Sequence, residues 1–147
     1  MSKNRILIVE DEVLIGENLK QILQKNGYEV TDIAITAQEA FSMVKHEKPD
    51  LILMDIYLKG DLDGIEAAKQ VWTDFDIPVI YLTAHGDEKT FEKAKVTEPY
   101  GFILKPFDSR QLCITIDIAL YKYNMEKKRL MLYSSALQIA FGGQSYL

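Results

Sequence analysis

The sequence predicts an α/β domain: a doubly wound, five-stranded parallel sheet with five helices. Three observations carry this expectation. Short apolar runs alternate with helix-length amphipathic stretches, so the chain reads as successive βαβ units. The two strongest runs, Leu51–Met54 and Val79–Leu82, are apolar on both faces, as strands covered by helices on both sides must be. Acidic, hydroxyl and amine side chains stand directly after the runs, at the strand ends where open α/β sheets hold their functional crevice.

Each element has its own signal. Ile6–Val9 is the first strand, followed by a helix over Glu12–Asn26 with Leu14, Ile15, Leu19, Ile22 and Leu23 expected on one side and Gly27 as its stop. Glu29–Ala34 is a weaker strand, because Asp32 interrupts the apolar pattern as an edge strand tolerates. Thr36–Lys45 is a helix opened by Thr36 and Glu39 at capping-box spacing. Leu51–Met54, the helix Gly64–Phe75, Val79–Leu82, the helix Asp87–Thr97 and Phe102–Leu104 follow, and Pro49, Pro78 and Pro99 each fall just before a strand. The last helix begins after Asp108, which has Gln111 at capping-box spacing.

From Leu112 a four-three spacing runs through Ile116, Ala119, Tyr123, Glu126, Leu130, Tyr133, Leu137 and Ala140, with Gly142-Gly143 as the stop. Only Glu126 breaks the stripe. One reading is a single long helix whose second half leaves the domain and pairs with a partner helix. The other is a helix ending near Lys128 and then a loosely ordered tail. The domain body is assigned to residues 4–122, and residues 123–147 to this C-terminal helical extension or tail.

Composition narrows the function classes. The 147 residues are 48% hydrophobic and 27% charged, ordinary values for a packed domain. A net charge of −5 argues against a nucleic-acid-binding surface, since phosphate contacts need clustered Lys and Arg. The single cysteine, Cys113, forms no internal disulfide and no metal-ligand cluster. No apolar run approaches the roughly 20 residues of a membrane helix, and four apolar residues before Glu10 are too few for a signal peptide. The expectation is a cytoplasmic domain with neither a nucleic-acid nor a membrane partner.

The strand ends supply the chemistry. Glu10, Asp11 and Glu12 follow the first strand, Asp55 the third, Thr83-Ala84-His85 the fourth and Lys105-Pro106 the fifth. Any one of these alone reads as a solvated loop charge or a helix cap. Together they place acids, a hydroxyl and an amine on one rim. Glu10, Asp11 and Asp55 would repel one another and raise their pKa values unless a hard cation such as Mg²⁺ joined them. A metal, a carboxylate nucleophile and a fixed cation are what phosphoryl transfer needs. Asp55, ending a central strand, is the best nucleophile, and Thr83 is placed to hydrogen-bond a phosphoryl oxygen without crowding it.

Ile6-Leu7-Ile8-Val9-Glu10-Asp11-Glu12, Leu51-Ile52-Leu53-Met54-Asp55, Asp63-Gly64, Val79-Ile80-Tyr81-Leu82-Thr83-Ala84 and Gly101-Phe102-Ile103-Leu104-Lys105-Pro106-Phe107 together resemble the response-regulator receiver domain of two-component signalling. The resemblance covers roughly residues 4–122 and implies a flavodoxin-like sheet of order 2-1-3-4-5. It also implies roles. Asp55 is then the phosphoacceptor, taking a phosphoryl group from a histidine kinase or phosphotransfer protein. Glu10, Asp11, Asp55 and the backbone carbonyl of Tyr57 hold Mg²⁺ (or Mn²⁺). Lys105 pairs with the phosphoryl group, and its peptide bond to Pro106 is cis. Thr83 and Phe102 form a switch that repacks the face of the fourth helix, fifth strand and fifth helix, and Tyr57 and His85 tune phosphoryl loss. The resemblance further implies a signalling module rather than an enzyme, and a homodimer through the switch face or the terminal helix. The stretches 63–68 and 81–85 are similar to receivers heading multi-domain sensor proteins.

Some residues depart from the family pattern. Glu10 stands where Asp is commoner, and Phe102 where Tyr is frequent. The loop from Ile56 to Gly64 is one residue longer than usual and lacks its proline, which leaves metal geometry and kinase contacts less fixed. Two other functions compete. A phosphatase of the haloacid-dehalogenase type wants a second acid two residues after the nucleophile, where this chain has Tyr57. A flavin-binding protein of the same fold wants a phosphate-cradling first loop, where this chain has Glu10-Asp11-Glu12. Of the remaining polar residues, Asp61 and Asp63 are expected to be turn and cap residues, Asp87 a helix cap, and Trp72 and Phe75 packing residues.

Overall fold

The computed structural model describes residues 3–84 and 88–142; His85 and Asp87 lie outside the described residues, as does Gly143. Five strands, β1 (Arg5–Val9), β2 (Glu29–Ala34), β3 (Leu51–Asp55), β4 (Val79–Ala84) and β5 (Gly101–Lys105), form one parallel sheet in the order β2-β1-β3-β4-β5. Five helices connect and close it: α1 (Val13–Lys25), α2 (Ala37–Glu47), α3 (Gly64–Phe75), α4 (Glu88–Lys95) and α5 (Ser109–Ala140).

Strand alternation divides the core in two. Leu7, Val9, Ile52, Met54, Val79 and Tyr81 point to one face and pack on Ala40 and Val44 of α2, Ala68 and Val71 of α3 and Ala94 of α4. Ile6, Ile8, Leu51, Leu53, Ile80, Leu82 and Ile103 point to the other and pack on Leu19 and Leu23 of α1 and Leu112, Ile116 and Ala119 of α5. Burial of β3 is complete over its whole length, which explains why its sequence carries no polar alternation before Asp55. At the edge, β2 carries an extra residue: Ile6 pairs with Val30 and Leu7 with Asp32, and the skipped Thr31 turns its hydroxyl back to the Ile6 carbonyl at 3.4 Å.

The caps follow the sequence with small differences. Thr36 accepts from the Glu39 amide at 3.1 Å, and Asp63 from the Glu66 amide at 2.9 Å, each closing the first turn of its helix. Asp108 caps α5 through the amide of Arg110 rather than that of Gln111. Leu14, expected on the buried side of α1, is 85% exposed, because the first turn of that helix overhangs the end of the sheet.

α5 is one continuous helix of 32 residues, so the helix does not end near Lys128. Its first three turns belong to the core. Its middle is fastened to the end of the sheet opposite Asp55. Tyr123 Oη donates to the Asp76 carbonyl at 2.7 Å, Lys127 Nζ pairs with the Asp76 carboxylate, and Tyr100 Oη donates to Glu126 Oε2. Trp72, Tyr100 and Tyr123 meet ring to ring at centroid distances of 5.8, 6.4 and 5.9 Å. The glutamate that broke the apolar stripe is therefore a partner of the domain. Beyond it, Leu130, Met131, Leu132 and Tyr133 are exposed.

Candidate functional site

The crevice forms where strand order reverses, at the carboxyl ends of β1 and β3. Glu10 directly follows β1, its amide held by the Ala34 carbonyl at 2.9 Å, and its side chain is fully buried. Asp11 comes next. Asp55 closes β3 in register with Leu82 of β4 and is 4% exposed. Carboxylate oxygens of Glu10, Asp11 and Asp55 all lie within 4.8 Å of one another. Lys105 reaches in from the end of β5: its Nζ is 2.7 Å from Glu10 Oε1 and 3.6 Å from Asp55 Oδ2.

One helix start fixes Asp55 from below. The Gly64 amide donates to the Ile56 carbonyl at 3.0 Å, and a Cβ on Gly64 would fall 2.0 Å from the carbonyl oxygen of Asp55. Only glycine admits this approach. The sequence offered the Asp63-Gly64 pair as a motif without giving the steric reason for it.

The electrostatics are those of crowded acids under one cation. Burial, reinforced by the Asp55 carboxylate, pushes the Glu10 carboxyl from 4.5 up to about 7 despite Lys105 beside it. Burial pulls the Lys105 ammonium down, but its hydrogen bond to Glu10 and the charges of Asp55 and Glu10 outweigh this and hold its pKa above the ordinary value. One carboxylate oxygen, Asp11 Oδ2, is buried without a hydrogen-bond partner. A buried acceptor without a donor is costly in a finished core and suits a cation instead. An all-oxygen donor set, an orphaned carboxylate oxygen and mutually repelling acids together fit a hard divalent ion.

The remaining sequence-predicted residues lie around this cup. Thr83, near the end of β4, is buried, and its hydroxyl donates to the Ala84 carbonyl at 3.4 Å. Phe102 on β5 is half-buried, with its ring 5.7 Å from Tyr81 and 4.6 Å from Phe91 of α4. The Lys105–Pro106 bond is cis. The Tyr57 amide donates to Asp55 Oδ1 at 3.1 Å, while the Tyr57 hydroxyl shares a 2.7 Å hydrogen bond with Thr90 Oγ1 of α4. Nothing in the sequence spacing announced that last contact, which joins residues 33 apart. Glu10, Asp11, Asp55 and Lys105 are thus brought together, with Thr83 and Tyr57 at their margin, and His85 lies outside the described residues.

Known proteins resemble this chain in sequence and fold. Residues 6–117 match the family model of the response regulator receiver domain. The transcriptional regulatory protein PdtaR of Mycobacterium tuberculosis is 34% identical over 119 residues, covering 81% of this chain and 58% of PdtaR. The phyllosphere-induced regulator PhyR of Methylorubrum extorquens is 34% identical over 125 residues, covering 84% of this chain and 46% of PhyR. The chain therefore spans about half the length of these relatives. Among solved structures, the signal receiver domain of a modulated diguanylate cyclase from Desulfovibrio desulfuricans superposes with a TM-score of 0.81 at 34% identity, covering 85% of this chain and 99% of that one.

Proposed function

Because this chain belongs to the response-regulator receiver domain family, we propose that it is a phosphorylation-controlled switch in which Asp55 accepts a phosphoryl group from the phosphohistidine of a histidine kinase or phosphotransfer protein. The observation that carries this reading is the cup itself: three carboxylates within 4.8 Å of one another, with Lys105 over two of them and one oxygen left orphaned.

Glu10, Asp11 and Asp55, with the backbone carbonyl of Tyr57, would hold Mg²⁺ or Mn²⁺. The bound ion supplies positive charge that offsets the phosphoryl oxygens as they approach the acids. The transfer then needs little else from the protein than position. A carboxylate oxygen of Asp55 bonds to phosphorus, the phosphorus–nitrogen bond of the donor imidazole breaks, and that nitrogen keeps the electron pair and takes a proton from solvent. Lys105, already charged and aimed between Glu10 and Asp55, stabilises the oxygens that gain charge. The Gly64 approach and the Tyr57 amide hold Asp55 in place, and Lys105 faces its other oxygen.

The output is a population shift. A phosphoryl group adds about −1.5 to −2 charges to a half-closed cup. In this reading Thr83 exchanges the Ala84 carbonyl for a phosphoryl oxygen, Phe102 moves into the space vacated, and the α4-β5-α5 face repacks. Tyr57 and His85 tune loss of the group. Regulators longer than this chain, which match it over about half of their own length, support a role as the receiver of a larger protein, and the exposed end of α5 supports a homodimer.

Acetyl phosphate with magnesium is expected to add one phosphoryl mass to the chain and none to Asp55→Asn. Unchanged labelling of that variant, or labelling that magnesium does not affect, overturns the assignment.

A further inference from the structure

We propose that Tyr57 is a positioning residue that ties α4 to the state of Asp55, through its own amide at one end and its hydroxyl at the other. The inference rests on the phosphoacceptor reading of Asp55. Tyr57 bonds to both sides: its N–H donates to Asp55 Oδ1 at 3.1 Å, and its hydroxyl meets Thr90 Oγ1 at 2.7 Å. A change in charge or rotation at the Asp55 carboxylate acts first on the amide that it holds. The ring hangs from that same residue, so the hydroxyl contact to α4 is kept or lost with it.

The helix at the far end is built to respond. α4 has eight residues, of which only Ala94 is buried. Such thin burial contributes little packing energy, so a few specific contacts decide where the helix sits. Its far end is secured by Tyr81, whose hydroxyl bonds Thr97 Oγ1 at 2.8 Å while Thr97 Oγ1 bonds the Ala94 carbonyl at 2.6 Å. Tyr81 is wholly buried in the sheet, so this end is the more firmly held of the two. Midway, Phe91 rests on the Phe102 ring. At the near end the Tyr57–Thr90 bond is exposed and can break without opening the core. α4 is therefore hinged at Thr97 and latched at Thr90.

Hydrogen exchange of the α4 amides in the full chain tests this, with beryllofluoride plus magnesium as the phosphoryl mimic. In the untreated protein, Tyr57→Phe is expected to speed exchange across Glu88–Lys95 about fivefold, the weight of one exposed neutral hydrogen bond, while β3 and β4 amides stay unchanged. The mimic is expected to speed α4 exchange more in the wild type than in Tyr57→Phe, where only the Phe102 contact still links α4 to the site. Equal exchange of wild type and Tyr57→Phe before treatment overturns the proposal, as does an equal response of both to the mimic. Intact mass after acetyl phosphate treatment separates the two readings. A wild type that is labelled on Asp55 but whose α4 does not respond overturns the tie alone. One that takes no phosphoryl group overturns the phosphoacceptor assignment, and the tie with it.

Discussion

Glu10 lies under the Lys105 ammonium with no exposure to solvent, and its carboxyl is held up to about 7 from 4.5. The folded chain therefore keeps a proton that the unfolded chain releases above 4.5. Stability from this group is complete below 4.5 and is lost as the pH climbs through 7, a change on the order of 3 kcal/mol at most. Urea melts of the metal-free protein should show that decline. Glu10→Gln, which cannot ionise, should flatten it across the same window, and added magnesium should offset it most above pH 7, where the acids are charged. Gly64 makes a second residue-scale prediction. Gly64→Ala places a methyl group 2.0 Å from the Asp55 carbonyl oxygen, so α3 or the end of β3 must shift. A loss of about 3 kcal/mol in urea unfolding is expected, together with slower phosphoryl uptake because the acceptor is displaced. At this scale the sequence was readable where chemistry is local to a strand end: Glu10, Asp11, Asp55 and Lys105 each follow an apolar run. It was silent on the steric reason for Gly64 and on the Tyr57–Thr90 bond, because a close backbone approach and a contact between residues 33 apart leave no mark in spacing.

Among the elements, strands and helices were legible to within a few residues because burial dictates composition. β3 and β4 had to be apolar, and the amphipathic stretches had to cover them. Two elements carried more than their pattern showed. The first turn of α1 is apolar in sequence yet exposed at Val13 and Leu14, since period alone does not tell where a sheet ends. α5 carried a polar break at Glu126 that reads as a weakening of the stripe, yet it is where the helix bonds Tyr100. The fastening there is mostly aromatic. The Lys127–Asp76 pair is exposed enough that water screens it, whereas the Trp72, Tyr100 and Tyr123 rings pack on one another, with Trp72 still 43% exposed. Trp72→Ala is expected to lower stability by about 1.5 kcal/mol and to speed exchange of α5 amides beyond Tyr123. Lys127→Ala should change stability by less than about 0.5 kcal/mol. Similar losses from the two variants would show that the charge pair, not the ring cluster, holds the helix.

The molecule as a whole is polarised along its strands. Acids, lysine and hydroxyl gather at the carboxyl ends, while Asp76 and Tyr100, just before β4 and β5, fasten α5 at the amino ends. α5 leaves the site after Pro106, runs back across the sheet and continues to Ala140 with its last ten residues largely exposed. No helix among the described residues is long and apolar enough to cross a membrane. Self-association is the expected use of the exposed end. Sedimentation of the full chain should give a dimer, and a chain ending at Lys128 a monomer or a weaker dimer; identical behaviour would remove the terminal helix from the interface.

A continuous α5 has a geometric consequence. Each residue of an α-helix advances about 1.5 Å and turns about 100°, and Tyr123, Glu126 and Lys127 set the starting azimuth against the domain. A module spliced in helical continuity after Ala140 would inherit that bearing. Splices lengthened by seven residues would return it to nearly the same heading, and splices lengthened by two would swing it to the opposite side.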